Sequence, residues 1–273
     1  MNPSKRGESV VHPTAVIEEG AVIGENCQIG PFCVVGPNVF LGNSVKLISH
    51  VVVLGKTAIG DETVVWPFAS VGSEPQDLKY KGEKTELSIG KRNKIREGVS
   101  INPGTEGGGG ITRIGNDCLF MLGSHIGHDC QIGNSIILAN NSAVAGHVII
   151  EDNVTIGGLS GVHQFCRIGQ GAMIGAVSMV NNDVIPYATV VGERASLVGL
   201  NIVGLKRKGL SQEVINSVRK TFTNLFDPSK NFKERAKRLA NSKVENEYIN
   251  AVLDFILSDT NRSFVTPKSK TSY

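Results

Sequence analysis

Residues 114–150 read IGNDCLFMLGSHIGHDCQIGNSIILANNSAVAGHVII, and a bulky apolar residue returns at every sixth place: Ile114, Phe120, Ile126, Ile132, Leu138, Val144 and Ile150. Neither an amphipathic helix, with a period of about 3.6, nor a strand, with a period of about 2, produces this spacing, so it marks a repeat architecture. Upstream, the same count links Val11, Ile17, Ile23, Ile29, Val35, Leu41, Leu47, Val53, Ile59, Val65 and Val71, then Ile89, Ile95 and Ile101. Downstream it runs through Ile156, Val162, Ile168 and Ile174 to Val180. Four places after the aliphatic comes a small residue, as at Ala15, Ala21, Cys27, Cys33, Cys118, Ser124, Cys130, Ser142, Ser160 and Cys166. Glycine often follows the aliphatic directly, as in Ile29-Gly30 and Ile114-Gly115. An all-β solenoid of triangular section satisfies all three regularities. Each hexad supplies a short strand and a turn, and three hexads close one coil. Large aliphatics are expected at the corners, with small residues letting the interior close.

Composition agrees with this reading. Glycine makes up 32 of 273 residues, well above the average of about 7%, as expected where many turns need positive φ. The pattern divides the chain into a solenoid over 1–191 and a smaller helical domain over 192–273. A net charge of +3 is too modest to argue for nucleic acid. Met1 to Ser9 holds no apolar signal core, and no run approaches the ~18 apolar residues of a membrane span. A cytoplasmic protein with no transmembrane segment is therefore expected. Cys27, Cys33, Cys118, Cys130 and Cys166 all take the small inward place of their hexads and are expected to be buried, inert thiols.

Two excursions interrupt the count: residues 73–88 (SEPQDLKYKGEKTELS) and residues 104–113 (GTEGGGGITR). No Lys-Ser/Thr follows the second one's glycines, so it is no Walker loop. Each is either a plain surface insertion or a binding loop carried on a rigid scaffold. Beyond Val191 helical signals begin. Ser211 caps a segment with apolar Val214, Ile215, Val218, Phe222, Leu225 and Phe226. Asn231 with Glu234 forms a capping-box pattern, and a third segment runs through Val244, Tyr248, Ile249, Val252, Leu253, Ile256 and Leu257. From Asn261 the chain reads as a polar tail. Clusters of Lys206, Arg207 and Lys208, of Arg219 and Lys220, and of Lys233, Arg235, Lys237 and Arg238 form either a solvated face or a landing surface for an acidic partner.

The repeat register sorts the six histidines. Counted from Ile114, Ile132 and Ile150, His128, His147 and His163 stack as one column at a single corner of three successive coils, about 4.8 Å apart. His125 lies on the strand leading there. Asn102 enters the same column from the coil before, and Asp129, Gly146 and Gln164 are interleaved with it. His12 and His50 fall at other corners and read as surface residues. Such a stack is either a chance alignment of turn-forming polar residues or a site. Metal ligation needs ring nitrogens within ~2.1 Å of one ion, and His128 and His163 are two coils apart, so a one-chain site is strained, though ligands shared between subunits could rescue it. Nucleophilic catalysis lacks a candidate. General-base catalysis on a bound hydroxyl needs one histidine, a partner to hold its tautomer and a backbone donor for an oxyanion. His128, Asp129 and the amide of Gly146 fill those roles.

The strings HPTAVIEEGAVIG (12–24), IGPFCVVGP (29–37), QDLKY (76–80), HIGHDC (125–130), ILANN (137–141), AGHV (145–148), VHQFC (162–166), GLN (199–201) and GLKRKG (204–209) resemble those of the bacterial acyl-(acyl carrier protein)–UDP-N-acetylglucosamine O-acyltransferases of lipid A biosynthesis. The resemblance implies a left-handed parallel β-helix, a homotrimer with sites between subunits, and helices that help hold acyl carrier protein. General crossover rules alone favour the opposite hand. It further implies that His128 deprotonates the sugar 3-hydroxyl, that Asp129 supports it, and that Gly146 supplies the oxyanion amide. His125 and His147 would line the acceptor and acyl channel, and Asp77 and Lys79 would contact the sugar. His163, Gln164, Asn201 and Arg207 would contact the sugar nucleotide, with Asn102 and Lys208 beside them. Ala176 and Met121 would measure acyl length. No metal and no cofactor is implied. The sequence departs from the family's habit at Asn102-Pro103, where His-Arg is frequent, and at Val203, Lys208 and Arg194. The 3-amino analogue of the sugar nucleotide stays open as acceptor. A zinc carbonic anhydrase of similar fold would need a His-x4-His spacing, which is absent here. An ice-binding or purely structural solenoid would need a flat threonine array.

Overall fold

The computed structural model describes residues 7–227, 231–242, 246–260 and 262–268. The first six residues, Val244 and Asn261 lie outside them. The solenoid is a left-handed parallel β-helix whose strands are mostly two residues long. Successive strands pass in turn to three sheets, and each pairs with the strand one coil away: Val10 beside Gln28, Gln28 beside Lys46, Lys46 beside Val64. The first sheet holds Ile137–Leu138, Thr155–Ile156 and Met173–Ile174; the second holds Ser100–Ile101, His125–Ile126, Ala143–Val144 and Gly161–Val162; the third holds Gln131–Ile132, Ile149–Ile150 and Arg167–Ile168.

The repeating aliphatic is the inward-facing last residue of each hexad strand, on a flat face and not at a corner. Ile29, Val35, Leu41 and Leu47 are all buried there. Corners are the turns that follow, and their second residue takes the left-handed conformation, as Asn26, Ser44, Asp117 and Asn153 do. The small residue comes next and points inward, so each hexad contributes two buried side chains to one continuous core. Glycines after the aliphatic serve close approach more than positive φ. A Cβ on Gly30 would fall 1.7 Å from the carbonyl oxygen of Ile48, and one on Gly115 would fall 2.6 Å from that of Gly133. Coils stacked at sheet spacing leave no room for a side chain at that place. All five cysteines are buried and free. Burial pushes the Cys130 thiol up to about 12 and the Cys118 thiol up to about 11, which suits inert core packing.

The excursions are shorter than the lapse in the count suggests. Glu86–Ile89 already pairs with Lys56–Ile59, and Ile111–Ile114 pairs with Glu86–Ile89. Leu87 and Thr112 face inward and draw those residues back into the coil. At the far end, Ala188–Val191 pairs with Met173–Ile174, and Ser196–Leu200 runs antiparallel to Ala188–Val191. This hairpin caps the open end of the solenoid and spans the expected 191/192 boundary. Helices follow: α1 (Ile202–Arg207), α2 (Gln212–Leu225), α3 (Phe232–Asn241) and α4 (Glu247–Leu257). Ser211 caps α2 through Val214 N and Asn231 caps α3 through Lys233 N and Glu234 N, as the local patterns predict. The short α1 carries too little periodic signal to be read from sequence.

Of the expected polar tail, residues 262–265 are built into the fold. Phe264 bridges Asp183, and Phe264 and Val265 are buried. Asp183 has no exposed side-chain surface and binds Arg167 Nε at 2.8 Å and Thr260 Oγ1 at 2.9 Å. Arg167 in turn lies over the Phe255 ring of α4 and donates to Ser258 Oγ. Two apolar side chains, Phe264 and Val265, sit among polar ones, a signal too short to register as periodicity. No helix among the described residues is long and apolar enough to cross a membrane.

Candidate active site

The corner between the second and third sheets collects the polar residues singled out from sequence, in three adjoining columns and not in one. Because His125 pairs with Ala143 and Ala143 with Gly161, His128 aligns with Gly146 and Gln164. Asp129 aligns with His147 and Phe165, and His163 aligns with Ala145 and Gly127. His147 stands one place beyond the column of His128 and His163 one place before it, small in count but enough to set each histidine on a different heading. Asp129, His147 and Phe165 are the left-handed residues of their turns. That conformation turns their side chains toward one another, and the His147 ring lies flat on Phe165 with centroids 4.3 Å apart.

His128 and Asp129 form the centre. The His128 Nδ1 sits 2.7 Å from Asp129 Oδ2, and the Asp129 side chain has no exposed surface. A buried carboxylate needs several donors, and the glycine-rich excursion provides them. Thr105 donates its backbone N–H to Asp129 Oδ1 at 2.8 Å and its hydroxyl to Oδ2 at 2.6 Å. Thr112 Oγ1 accepts the Asp129 amide at 2.8 Å. Gly108 closes the loop against the same carboxylate, where a Cβ would fall 2.0 Å from Cγ. The second excursion is therefore a lock on Asp129. Thr105, Thr112 and Gly108 were not identifiable in that role, since the loop's path back onto the corner is a tertiary feature.

On its other edge the His128 ring meets Gly146. A side chain there would fall 2.6 Å from His128 Nε2. Among the described residues, no protein group accepts the Gly146 amide. Gly127 leaves the approach to it clear, since a Cβ on Gly127 would come within 2.8 Å of Gly146 N. A cavity of about 410 Å³ opens over this group, lined by His125, His128, Ala143, Gly146, Gly161, His163, Gln164 and Met179. Ser100 Oγ bonds His125 Nδ1 at 2.8 Å. Burial, and then the neighbouring His128, holds the His125 pKa below the ordinary histidine value. His147 is held low as well, chiefly by burial; Asp129 and Asp77 oppose this while His128 and Lys79 add to it. The charges of Asp77 and Lys79 thus reach the corner from the first excursion.

Asn102 turns its amide to that excursion. Its Nδ2 donates to the carbonyls of Ser73 and Glu74 at 3.0 and 3.1 Å, so it pins the loop's root over the cavity. Asn201, Arg207 and Lys208 lie elsewhere, around a cavity on the outer face of the first sheet with Tyr187 and Met173. Asn201 caps α1 through Gly204 N and donates to Gly171 O, 3.0 Å in each case. Met121 and Ala176 lie in turns between the first and second sheets, at the edge of the second sheet opposite His128. One chain does not bring these three groups together.

His128, Asp129 and His147 place one ligand atom each within 4.8 Å of one another, the grouping among the described residues able to hold a metal ion. Asp129 Oδ2 is already engaged by His128 Nδ1 and the Thr105 hydroxyl. A metal would have to displace both. The donor set fits an oriented base better than an ion site.

Solenoid, hexads and corner together define a hexapeptide-repeat transferase. Residues 8–37 match the family model described as bacterial transferase hexapeptide (six repeats), and residues 183–265 match domain 2 of UDP-N-acetylglucosamine O-acyltransferase. The acyl-[acyl-carrier-protein]–UDP-N-acetylglucosamine O-acyltransferase of Paracoccus denitrificans is 59% identical over 204 residues, covering 75% of this chain and 77% of that protein. The enzyme of the same name from Sinorhizobium fredii is 44% identical over 262 residues, covering 94% and 95%. The crystal structure of UDP-N-acetylglucosamine O-acyltransferase from Moraxella catarrhalis superposes with a TM-score of 0.90 at 41% identity, covering 93% of this chain and 99% of that one. The chain belongs to the acyl-[acyl-carrier-protein]–UDP-N-acetylglucosamine O-acyltransferase family.

Proposed function

We propose that this protein transfers an acyl group from an acyl carrier protein thioester to the 3-hydroxyl of UDP-N-acetylglucosamine, the opening step of lipid A biosynthesis, with His128 as general base. The observation that carries the reading is the arrangement Asp129–His128–Gly146. With Nδ1 donating to Asp129, the free lone pair of His128 is on Nε2, at the edge that faces Gly146. Nε2 takes the hydroxyl proton as the sugar oxygen attacks the thioester carbonyl. The Gly146 amide then receives the oxyanion. Collapse breaks the carbon–sulfur bond, and the departing thiolate takes the proton back from His128. No covalent enzyme intermediate forms, and no metal or cofactor is required. A positioned base of this kind contributes about 10²–10⁴ in rate.

The reading extends to a homotrimer with sites between subunits. Asn201, Arg207 and Lys208 stand on a different face from His128, so they serve one site only if a second copy presents that face. Leu78, fully exposed between Asp77 and Lys79 at the tip of the first excursion, is an apolar group placed to meet such a copy. Met121 and Ala176 would then bound the acyl chain along the second sheet. Free buried cysteines support a reducing, cytoplasmic setting.

One assay tests the proposal: acyl transfer to UDP-N-acetylglucosamine and to its 3-amino analogue, with wild type and His128→Ala. Turnover with the hydroxyl acceptor, lost by about 10² or more in the variant, is the expected result. Undiminished turnover in the variant would remove His128 as base, and activity with the amino sugar alone would change the product to an amide. A stable monomer in solution would contradict the shared site.

A further inference from the structure

Among the described residues, His163 is the one corner histidine whose hydrogen-bond partner comes from the far end of the chain. Its Nδ1 lies 3.2 Å from Arg262 Nη2 and 3.2 Å from the carbonyl oxygen of its neighbour Gln164. These two contacts exclude each other. A guanidinium only donates, so the Arg262 contact needs a bare lone pair on Nδ1. The Gln164 contact needs a proton there. With Arg262 in place, an N–H on Nδ1 would face another N–H beside a fixed positive charge.

Arg262 is held firmly enough to impose that choice. Its Nη1 donates to Asn181 O at 2.7 Å, and its backbone N–H donates to Thr260 Oγ1 at 3.1 Å. Thr260 is itself bound to the buried Asp183. On its other side, Asp183 N donates to Ser263 O at 2.9 Å and Val265 N donates to Asp183 O at 2.8 Å. Among the described residues, no carboxylate forms an ion pair with Arg262. The guanidinium also borders a cavity of about 830 Å³ shared with His147, Phe165 and Arg167.

The geometry points to Arg262 as a positioning residue for the acyl-transfer site: it selects the His163 tautomer that carries its proton on Nε2. His163 lines the cavity over His128. In this tautomer it presents an N–H donor there, suited to an oxygen acceptor of the bound sugar nucleotide. With the proton on Nδ1 instead, the ring would present a lone pair and repel the same oxygen. This role rests on the acyl-transfer reading and deepens it, by making the C-terminal segment part of acceptor binding.

Two measurements test it. Ring ¹⁵N chemical shifts of His163, assigned by their loss in His163→Gln, report the tautomer of the intact protein without any substrate. Nδ1 is expected in the unprotonated range and Nε2 in the protonated range, with a shift toward the mixed or opposite pattern in Arg262→Met. Steady-state kinetics of Arg262→Met, His163→Gln and the double variant form a cycle. Arg262→Met is expected to raise KM for the sugar nucleotide by up to roughly tenfold, the upper end for one net hydrogen bond, with kcat changed less. In the His163→Gln background the same change should add nothing. A wild-type ring protonated at Nδ1, or a full Arg262→Met penalty without His163, overturns the inference. Absence of wild-type turnover would refute the acyl-transfer reading, while the ring spectrum would still decide what Arg262 does to His163.

Discussion

Substitution of Gly108 by alanine tests whether the glycine-rich excursion acts on catalysis through Asp129. Gly108 has no left-handed backbone conformation to lose, so alanine meets opposition only from what surrounds its Cβ. That atom would fall 2.0, 2.2 and 2.4 Å from Asp129 Cγ, Oδ2 and Oδ1. Ordinary contact begins near 3.4 Å, so something must retreat by more than an ångström. Asp129 cannot swing away cheaply, because Thr105 and His128 hold both of its oxygens. Either the loop lifts and takes Thr105 with it, or the carboxylate shifts off His128. Each outcome sacrifices a charge-assisted hydrogen bond of about 1.5–3 kcal/mol, which corresponds to a roughly 10- to 150-fold fall in kcat. Gly107 is the internal control. Its Cβ would meet nothing within 4 Å, so Gly107→Ala should leave kcat within about twofold, the usual range for an unobstructed surface change. The assay is steady-state acyl transfer by both variants, with Asp129→Asn as the lower bound and thermal unfolding to verify the fold. Equal kcat values for Gly107→Ala and Gly108→Ala in folded proteins would refute the claim that the loop fixes the orienting carboxylate.

Other consequences are simpler to state. Gly146→Ala places a methyl 2.6 Å from His128 Nε2 and should depress turnover about as far as His128→Ala, with a melting temperature near that of wild type; near-normal turnover would place the oxyanion site elsewhere. Asp183→Ala leaves Arg167 without its buried partner and unties the C-terminal segment, so urea unfolding should show a loss of about 3–5 kcal/mol; a loss under about 1 kcal/mol would mean the junction is not stabilised there. His125 and His147 have pKa values held below the ordinary histidine value, so the unfolded chain binds more protons than the folded one as pH falls through about 6.5. Stability should start to decline as pH falls through the ordinary histidine value of about 6.5 and keep falling until the lowered folded-state values are passed, and His125→Asn with His147→Asn should flatten that slope in calorimetry; an unchanged slope would assign the loss to other groups. Dialysis against a chelator should leave acyl transfer intact, because Asp129 Oδ2 is engaged by His128 and Thr105; activity lost to the chelator and restored by zinc would reverse that assignment.

What could be read from sequence, and what could not, follows from how each feature is encoded. The solenoid is encoded redundantly: a one-residue slip would expose Ile126, Ile132 and Leu138 together, so the period alone fixes strands, coils and pairing register. The same register brought His128, Asp129 and Gly146 to one corner, because stacking coils turns a distance of eighteen places in sequence into a single strand spacing. It misjudged where the large aliphatics sit, since a period shows which residues are equivalent but not whether they occupy a face or a turn. The support of the site was hidden for a different reason. Thr105 and Gly108 lie in a loop without periodicity, and Arg262 lies ninety-nine residues beyond His163, in a segment whose two buried apolar residues make no pattern. Those contacts depend on where a loop and a strap return to the solenoid. A repeat leaves such returns unspecified, because every coil offers nearly the same surface. The chemistry then depends on the few places where this equivalence is broken: a carboxylate beneath one excursion, a glycine beside one ring, an arginine against one imidazole. Mutations at repeat positions should accordingly report on stability, while those at the non-repeating contacts should report on turnover with the fold intact.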